Sequence, residues 1–320
     1  MRMTNLAPAL GDSPFRRDVI ASLSATPKAV PAKYFYDAEG SRLFEEICEL
    51  PEYYPTRTEI ALLDEVAPEI ARHIRPASAL VEFGSGASVK TRLVLDAAPQ
   101  LGAYVPIDIS ETALSQAARA IASDYPHLRV SPIAGDFTKP MMLPEAIRAR
   151  PIIGFFPGST IGNFTPDEAA GLLSRAHNLL GEGASFLVAA DLVKPVETLL
   201  AAYDDSQGVT AAFNKNLLVR INRELEGDFD LDAFDHRAVW NAVESRIEMH
   251  LVSRHAQQVS IGGDVFGFAE GETIHTENSY KFTREMFAAV AERGGWRVET
   301  EWVSDAQPFA TFLLRAAERA

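Results

Sequence analysis

The sequence predicts an α/β protein in which a parallel, doubly wound sheet is accompanied by a second, α+β domain. Strand-like and helical segments alternate between residues 79 and 191, as they do when helices cover both faces of a parallel sheet. From about Lys194 to Phe282 the pattern changes to helical segments and then to alternating runs bounded by "IGGD" and "EGE", which predict an antiparallel sheet. With 320 residues, 47% of them hydrophobic, the chain is long enough for two domains.

The elements of the parallel sheet follow one another along the chain. A helical pattern over 56–74 precedes the first strand, and Pro76 ends it. The predicted strands are "ALVEF", "AYVPID", "RVSPIA", "IIGFF" and "SFLVAADL", and the predicted helices between them cover about 89–98, 110–124 and 166–180. Thr165, Pro166 and Glu168 are typical of a capped helix start.

The C-terminal segment returns to the first pattern. The stretch "TREMFAAVAERGGW" predicts an amphipathic helix, and "RVETEWV" and "FATFLLR" predict two strands. Because these pieces have no core of their own, we assign them to the parallel sheet. The predicted sheet domain is therefore 59–194 plus 282–320, and the second domain is 1–58 plus 195–281.

Composition excludes several classes of partner. The formal net charge is -14 and no basic stripe is present, so we expect neither nucleic acid nor a membrane as a partner. The single Cys48 cannot form an internal disulfide and is expected to be buried and inert. No apolar run approaches the roughly 18 residues of a membrane span, and the first residues lack the continuous apolar stretch of a secretory signal, which predicts a cytoplasmic protein. His250 and His255 lack the spacing of metal ligands along one element, so we expect no metal.

The stretch "VEFGSGASVKT" (81–91) predicts a strand, a glycine turn and a helix. Gly84 and Gly86 match the first two glycines of a dinucleotide turn, but Val89 stands at the third position. A Walker A loop also fails, because Lys90 follows Val89 instead of a glycine. Neither phosphate-binding motif fits this turn.

An acid precedes the turn instead. Glu82 gives it the form acid-x-G-x-G, which suits a cationic ligand such as S-adenosylmethionine (SAM) and repels a pyrophosphate. Asp108 ends the next strand, where it could accept both ribose hydroxyls, and Asp136 with Phe137 follows the third, where they could bind and stack on adenine. Each acid alone could simply cap a helix, but strand ends share the ligand-binding edge of such sheets. The pattern favours a class I (Rossmann-like) methyltransferase over a nicotinamide-dependent reductase.

Four stretches resemble one family, the ergothioneine-pathway L-histidine Nα-methyltransferases. They are "KYFYDAEGSRLFEEICELPEYYPTRTE" (33–59), "EFGSGASVKTR" (82–92), "FFPGSTIGNF" (155–164) and "IHTENSYKF" (274–282). The resemblance implies trimethylation of the α-amine of histidine to hercynine with SAM as methyl donor. It also implies a methyltransferase domain interrupted by a substrate-binding domain, which is built from the N-terminal block and the insertion.

The resemblance also implies the site residues. Asn163 and Tyr53 would lie at the substrate amine, Tyr36 and Tyr203 at its carboxylate, Phe44 and Met249 around the imidazole, and Glu277 and Ser279 at the imidazole edge. The residues expected to bind the cofactor are Glu82, Gly84, Gly86, Lys90, Asp108, Asp136 and Phe137. Without the resemblance, core packing is the preferred interpretation of Tyr36 and Tyr53, and Glu277 could equally pair with Lys281 on a solvated strand face.

Two other functions remain open at this point. One is a SAM-dependent methyltransferase acting on another amino acid or small amine, and the other is a non-catalytic module that binds SAM or an amino acid. For the histidine methyltransferase we expect a monomer, coupled functionally to an enzyme that consumes hercynine.

Overall fold

The computed structural model describes residues 13–86 and 89–317. They form two compact units, each described by itself. Unit 1 contains the chain up to Tyr54 together with Pro195–Ser279, and unit 2 contains Pro55–Lys194 together with the chain from Tyr280 onward. The crossings between the units thus lie at 54/55, 194/195 and 279/280.

The helices and strands are numbered in chain order. The helices are α1 Pro14–Ser24, α2 Ala38–Glu49, α3 Tyr54–Arg72, α4 Val89–Ala97, α5 Glu111–Asp124, α6 Glu145–Arg148, α7 Pro166–Leu180, α8 Val196–Tyr203, α9 Val209–Leu225 and α10 Arg284–Arg293. The strands are β1 Lys28–Ala29, β2 Ala79–Phe83, β3 Ala103–Asp108, β4 Arg129–Val130, β5 Ile133–Ala134, β6 Ile152–Phe156, β7 Ser185–Asp191, β8 Phe234–Asn241, β9 Arg246–Ser253, β10 Gln257–Ile261, β11 Asp264–Phe268, β12 Thr273–Tyr280, β13 Trp296–Val303 and β14 Phe309–Ala316. None of these helices is long and apolar enough to cross a membrane.

Unit 2 is built on one mixed sheet, which confirms the predicted α/β class. Its strand order is β13-β14-β7-β6-β2-β3-β4, and β5 also pairs with β3. The central strands β3, β2, β6 and β7 are parallel, whereas β14 runs antiparallel to both of its neighbours. Every residue of β2 is buried, because alternate side chains enter two different cores, one on each face of the sheet.

One predicted strand of this sheet is wrong. The stretch "RVSPIA" forms two short strands, β4 and β5, separated by Ser131 and Pro132. Pro132 has no backbone N–H to donate, so a continuous hydrogen-bonded ladder cannot pass through it. The two pieces still pair with β3, at Ala103 and Tyr104 and again at Ile107 and Asp108.

Unit 1 contains a four-stranded sheet of order β1-β12-β9-β8 and the separate hairpin β10-β11. Its core joins the N-terminal block to the insertion, since Phe35 stacks on Phe213 of α9 with ring centroids 4.4 Å apart. Asp37 caps the start of helix α2, and its side chain accepts from the Gly40 N–H at 2.8 Å. A Cβ atom on Gly40 would lie 1.8 Å from the carbonyl oxygen of Phe35, so only glycine fits there.

The insertion leaves and re-enters unit 2 at adjacent points. Leu192 and Phe282 form a parallel β-bridge. The Phe282 N–H donates to the Asp191 carbonyl, and the Val193 N–H donates to the Phe282 carbonyl, each at 3.0 Å. The outgoing and returning segments are therefore hydrogen-bonded to each other inside unit 2.

Candidate functional site

The glycine turn lies at the carboxyl end of β2. Gly84 and Gly86 both have positive φ, +74° and +43°, a backbone conformation that favours glycine. The Gly84 N–H donates to the Ile107 carbonyl at 2.8 Å, and a Cβ atom on Gly84 would lie 3.6 Å from the ring of Phe137. Ala87 and Ser88 of the quoted motif lie outside the described residues. The turn therefore presents bare backbone at the edge of the sheet.

Asp108 connects the turn to the next strand. Its Oδ1 accepts from the Ser110 N–H at 2.9 Å, before α5, and its Oδ2 lies 3.5 Å from the Gly86 nitrogen. Asp108 thus makes a local turn contact before α5, whose N-cap residue is Ser110, and it also faces the glycine turn. Its side chain is half-buried, which leaves part of the carboxylate accessible to a ligand.

Asp136 and Phe137 follow β5 at the same edge, because Asp108 is the Cα partner of Ala134. Asp136 accepts from the Thr138 N–H at 2.9 Å. The Phe137 ring lies 6.1 Å from that of Phe83 between centroids. The structure thus brings the turn, both acids and the aromatic ring to neighbouring strand ends.

The side chain of Glu82 is buried and is not exposed at this edge of the sheet. It is 1% exposed, and its Oε1 accepts from the Thr91 hydroxyl at 2.7 Å while Oε2 accepts from the Tyr104 hydroxyl. Burial raises the pKa of Glu82 to about 7, although both hydrogen bonds act in the opposite direction. The carboxylate therefore ties β2 to α4 and β3 beneath the turn, and direct binding of a cationic ligand by Glu82 stays a prediction.

Lys90, in the first turn of α4, already has a protein partner. Its Nζ lies 2.5 Å from Oε2 of Glu59, a residue of α3 that is 1% exposed. The same carboxylate accepts from the Gly158 N–H at 2.8 and 3.0 Å. Sequence reasoning missed Glu59, because its partners are far away along the chain.

Asn163 ends a short 3-10 turn, Thr160–Asn163, in the loop that follows β6. The loop begins with two left-handed residues, Gly158 at φ +83° and Ser159 at φ +53°. Ser159 Oγ accepts from the Asp191 N–H at 2.8 Å. A Cβ atom on Gly162 would lie 2.9 Å from the Tyr280 carbonyl oxygen, so the close packing there requires glycine. The backbone that carries Asn163 is thereby held at several points.

The predicted substrate residues of unit 1 form an aromatic cluster. Tyr36 contacts Phe44 with ring centroids 5.7 Å apart, Phe44 contacts Tyr53 at 6.2 Å, and Tyr53 contacts Tyr203 at 6.1 Å. Phe213 of α9 contacts Tyr36 at 5.9 Å and Phe44 at 6.1 Å. Sequence analysis missed Phe213, since an apolar residue at helical spacing carries no signal beyond core packing.

Polar groups adjoin this cluster. The Tyr203 hydroxyl and Ser279 Oγ are hydrogen-bonded at 2.6 Å. Burial raises the pKa of Tyr53 well above its usual range, and the charges of Tyr203, Cys48 and Glu277 add to the shift. Glu277 therefore acts on the same aromatic cluster, and the phenol of Tyr53 stays protonated at neutral pH. Cys48 itself is half-buried, not buried as expected.

A second network supports Tyr203. Asn214 Nδ2 donates to His236 Nδ1 at 2.9 Å, which leaves His236 Nε2–H to donate to the Tyr203 carbonyl at 2.8 Å. Burial lowers the pKa of His236, so the neutral tautomer that this network needs is favoured. The end of α8 is fixed in this way.

Met249 is the last residue of the predicted substrate set, and Lys281 belongs to the alternative interpretation of Glu277. Met249 is 2% exposed on β9, opposite Ala238, and its carbonyl accepts from Thr276 Oγ1 at 3.0 Å. Lys281, the alternative partner of Glu277, lies with Nζ 2.9 Å from Oδ2 of Asp191.

One cluster in the described part of the chain has the composition of a metal site. Ligand atoms of Glu248, His250 and His275 lie within 4.8 Å of one another, a grouping across strands that spacing along the sequence does not show. Glu248 already pairs with Arg246 at 2.6 Å, and its Oε2 accepts from His250 Nε2 at 3.0 Å. Its charge is therefore balanced within the protein, and the cluster is explained as a hydrogen-bonded network.

Comparison with known proteins decides between the open alternatives for the enzyme class. A family model described as "Histidine-specific methyltransferase, SAM-dependent" matches residues 15–316. The chain belongs to this family. The predicted class of enzyme, its methyl donor and the class I methyltransferase interpretation of the sheet are thus confirmed.

Individual relatives agree with the family. The chain is 46% identical over 309 residues to the histidine N-alpha-methyltransferase of Mycolicibacterium smegmatis, covering 95% of this chain and 94% of that protein. It is 43% identical to the protein of the same name from Mycobacterium tuberculosis, over 95% of each chain. A 27% identical match to ergothioneine biosynthesis protein 1 of Schizosaccharomyces pombe covers 89% of this chain but 38% of that longer protein.

Proposed function

We propose that the protein transfers methyl groups from SAM to the α-amino group of L-histidine, three times, to give hercynine. The observation that carries the proposal is the match of nearly the whole chain to the histidine-specific family, together with full-length bacterial relatives that bear the name of this activity. The name of the yeast relative supports a place in ergothioneine biosynthesis.

The residues at the edge of the unit 2 sheet suit the methyl donor. When bound, SAM supplies a methyl group attached to a positively charged sulfur. Asp108 can accept hydrogen bonds from two ribose hydroxyls, and Asp136 can accept from the adenine amine. Phe137 offers an aromatic face, and the missing side chains of Gly84 and Gly86 let a ligand approach the backbone. The ammonium of Lys90, which pairs with Glu59, also suits the carboxylate of the methionine part of SAM.

Asn163 is the residue we assign to orient the amine. The nitrogen must be neutral to react, and an α-amino group has a reference pKa of about 7.7 to 8.0 in peptides. The side-chain oxygen of Asn163 can accept from the amine N–H and direct its lone pair. Unlike a carboxylate, an amide adds no full charge that would hold the ammonium form. Positioning of this kind can supply roughly 7 to 11 kcal/mol of the barrier.

Tyr53 serves two stages in this proposal. Its hydroxyl is protonated at neutral pH, so it acts as a hydrogen-bonding group and not as a phenolate base. As methyl groups accumulate, the amine loses its N–H donors and becomes a quaternary cation. Aromatic faces attract such cations without hydrogen bonds, and Tyr53 lies in a cluster of aromatic rings.

Selectivity for histidine comes from polar groups of unit 1. Tyr36 and Tyr203 are assigned to the substrate carboxylate, and Glu277 with Ser279 to the two imidazole nitrogens. The Tyr203 hydroxyl, assigned to the carboxylate, and the Ser279 hydroxyl, assigned to the imidazole, are hydrogen-bonded to each other, which fixes the orientation of both. Phe44 and Met249 supply apolar walls. An amino acid with an apolar side chain has no N–H that could donate to Glu277, so it would bind without this charge-assisted hydrogen bond.

Mass spectrometry tests the function directly. Purified protein, L-histidine and SAM should yield species one, two and three methyl groups heavier than histidine, with fragmentation placing them on the α-nitrogen. A panel of other amino acids and small amines, present at the same concentration, should gain no methyl group. Methylation of another panel member in preference to histidine would establish the alternative substrate class, and binding of both ligands without product would establish a non-catalytic module.

The setting of the enzyme is part of the proposal. We infer a cytoplasmic monomer whose product passes to a hercynine-consuming enzyme. Light scattering of the purified protein at several concentrations checks the monomer, which a concentration-independent dimer mass would exclude.

A further inference from the structure

Glu59 occupies an unusual position for a fully desolvated carboxylate. It lies on α3, is 1% exposed, and contacts two segments that are distant in sequence. One is the ammonium of Lys90 at the start of α4, and the other is the backbone N–H of Gly158. Both segments begin at carboxyl ends of parallel strands, β2 and β6, where open α/β sheets bind their ligands.

Of the two contacts of Glu59, the one with Gly158 indicates its role more directly, because it holds the backbone of the loop that carries Asn163. A single N–H is shared by both carboxylate oxygens, at 2.8 and 3.0 Å, and charge-assisted bonds of this type are about twice as strong as neutral ones. The bond holds the first of two consecutive left-handed residues, Gly158 and Ser159. A non-glycine residue such as Ser159 keeps that conformation only where its surroundings determine it.

The rest of the loop transmits this anchoring to Asn163. The Gly162 N–H donates to the Ser159 carbonyl at 2.9 Å, and Thr160 Oγ1 donates to the Pro157 carbonyl at 3.1 Å. Asn163 is the next residue after Gly162, in the same 3-10 turn. Glu59 fixes one end of the loop, and the Asp191 N–H, through Ser159 Oγ, fixes the middle.

We propose that Glu59 is a positioning residue for methyl transfer: its buried carboxylate holds the loop 157–163 in the conformation that aims Asn163 and, through Lys90, joins this loop to the helix that follows the glycine turn. The inference rests on the proposed function for the role of Asn163. Glu59 contacts neither reactant in this account, since its oxygens are occupied by Gly158 and Lys90.

Two substitutions of Glu59 distinguish its hydrogen bond to Gly158 from its ion pair with Lys90. Glu59→Ala removes the acceptor for the Gly158 N–H, whereas Glu59→Gln keeps a carbonyl oxygen for it and loses only the charge that pairs with Lys90. Hydrogen exchange of the ligand-free protein reports on the loop without any turnover. In Glu59→Ala we expect amides of residues 158–163 to exchange at least about tenfold faster than in the wild type, and in Glu59→Gln we expect them to stay protected.

Kinetics give the second readout. Misplacement of a reacting group by about 1 Å can lower a rate on the order of 100-fold, so we expect kcat of Glu59→Ala to fall at least about tenfold while KM for histidine changes less than about threefold. Glu59→Gln should recover kcat to within about threefold of wild type.

A matched control addresses simple loss of stability. Trp296→Phe removes a buried hydrogen bond from Nε1 to the Leu173 carbonyl, 2.8 Å long, in the same unit. It should lower Tm while leaving exchange in the loop and kcat near wild type. If Glu59→Ala is folded and its loop exchanges at the wild-type rate, the inference is overturned, whatever its activity. A wild-type protein that makes no methylated histidine would overturn the proposed function instead and leave the exchange result standing.

Discussion

Lys281 places its ammonium 2.9 Å from Oδ2 of Asp191, and the side chains of both residues are 1% exposed. Lys194 pairs with the other oxygen, Oδ1, of the same carboxylate. Lys194 is the last residue of unit 2 before the insertion, and Lys281 is the second residue of unit 2 after it. The Asp191 carboxylate therefore joins the two ends of the chain that flank the insertion.

Replacing Asp191 should strongly destabilise the protein. Asp191→Asn removes the charge that pairs with two buried ammonium groups, and removal of one partner from a buried ion pair costs about 3 to 5 kcal/mol. Urea unfolding measures the loss. As a control, Arg293→Gln breaks the exposed pair with Asp167 and should cost less than about 1 kcal/mol. Similar losses for the two variants would contradict the importance of the buried cluster.

Glu82 should make stability depend on pH. Its pKa rises from 4.5 to about 7 on folding, so the folded state binds more protons between these values. Its contribution to stability is therefore fully present below about pH 4.5 and is lost as pH rises through about 7, on the order of 3 kcal/mol in total. Glu82→Gln keeps one acceptor oxygen and offers an N–H donor to the second hydroxyl, and because the amide does not titrate this variant should lack the loss. Denaturation of both proteins at intervals from pH 4.5 to 8 checks the difference, and parallel pH profiles would disprove it.

Glu277 should govern binding of histidine and not of SAM. Hydrogen bonds to a charged group are worth about 1.5 to 3 kcal/mol, so Glu277→Ala should raise KM for histidine about 10- to 100-fold. Glu277→Gln retains one acceptor oxygen, so its KM for histidine should lie between those of the wild type and the alanine variant. Calorimetric titration with SAM serves as the internal control and should give the wild-type Kd. Unchanged histidine binding by the alanine variant would remove Glu277 from the site.

Asp108 should govern the cofactor. Asp108→Ala removes the acceptor facing the glycine turn and should weaken SAM binding at least about tenfold, measured by calorimetry. Because Asp108 also accepts from the Ser110 N–H before α5, Asp108→Asn is the needed comparison. The amide can keep this contact with the Ser110 N–H, so any further loss of affinity in the alanine variant measures the contribution of the turn before α5 separately from that of the carboxylate. A wild-type Kd in both variants would exclude Asp108.

The sequence was most informative where one physical signal dominates. Strands β2, β3, β6 and β7 are short apolar runs buried on both faces, and their length and their alternation with helical segments identify them. The capping box of α7 was predicted from Thr165 and Glu168 and is present. Where signals compete, prediction failed: apolar residues in "RVSPIA" suggested one strand, but Pro132 interrupts its hydrogen bonding.

The sequence indicated candidate residues at the strand ends but not the residues that support them. Sequence analysis finds Gly84, Asp108 and Asp136 because each lies at or just after the end of a predicted strand. Glu59 stands within a quoted stretch, yet its partner Gly158 is 99 residues away, and no periodicity reports such a contact. The same holds for Phe213 and His236, which look like ordinary core and strand residues until the fold places them beside Tyr36 and Tyr203.

The adjacent exit and return of the chain at Leu192 and Phe282 has an evolutionary consequence. Because the two ends of the insertion meet at a single hydrogen-bonded step, a different insert of any length could be spliced between them without altering the strand order of the sheet. The insertion is also packed on the N-terminal block in one core, so a replacement would need to match that block as well as the two ends of the chain. Substitutions inside the insertion are therefore a shorter route to a new substrate preference than exchange of the whole segment.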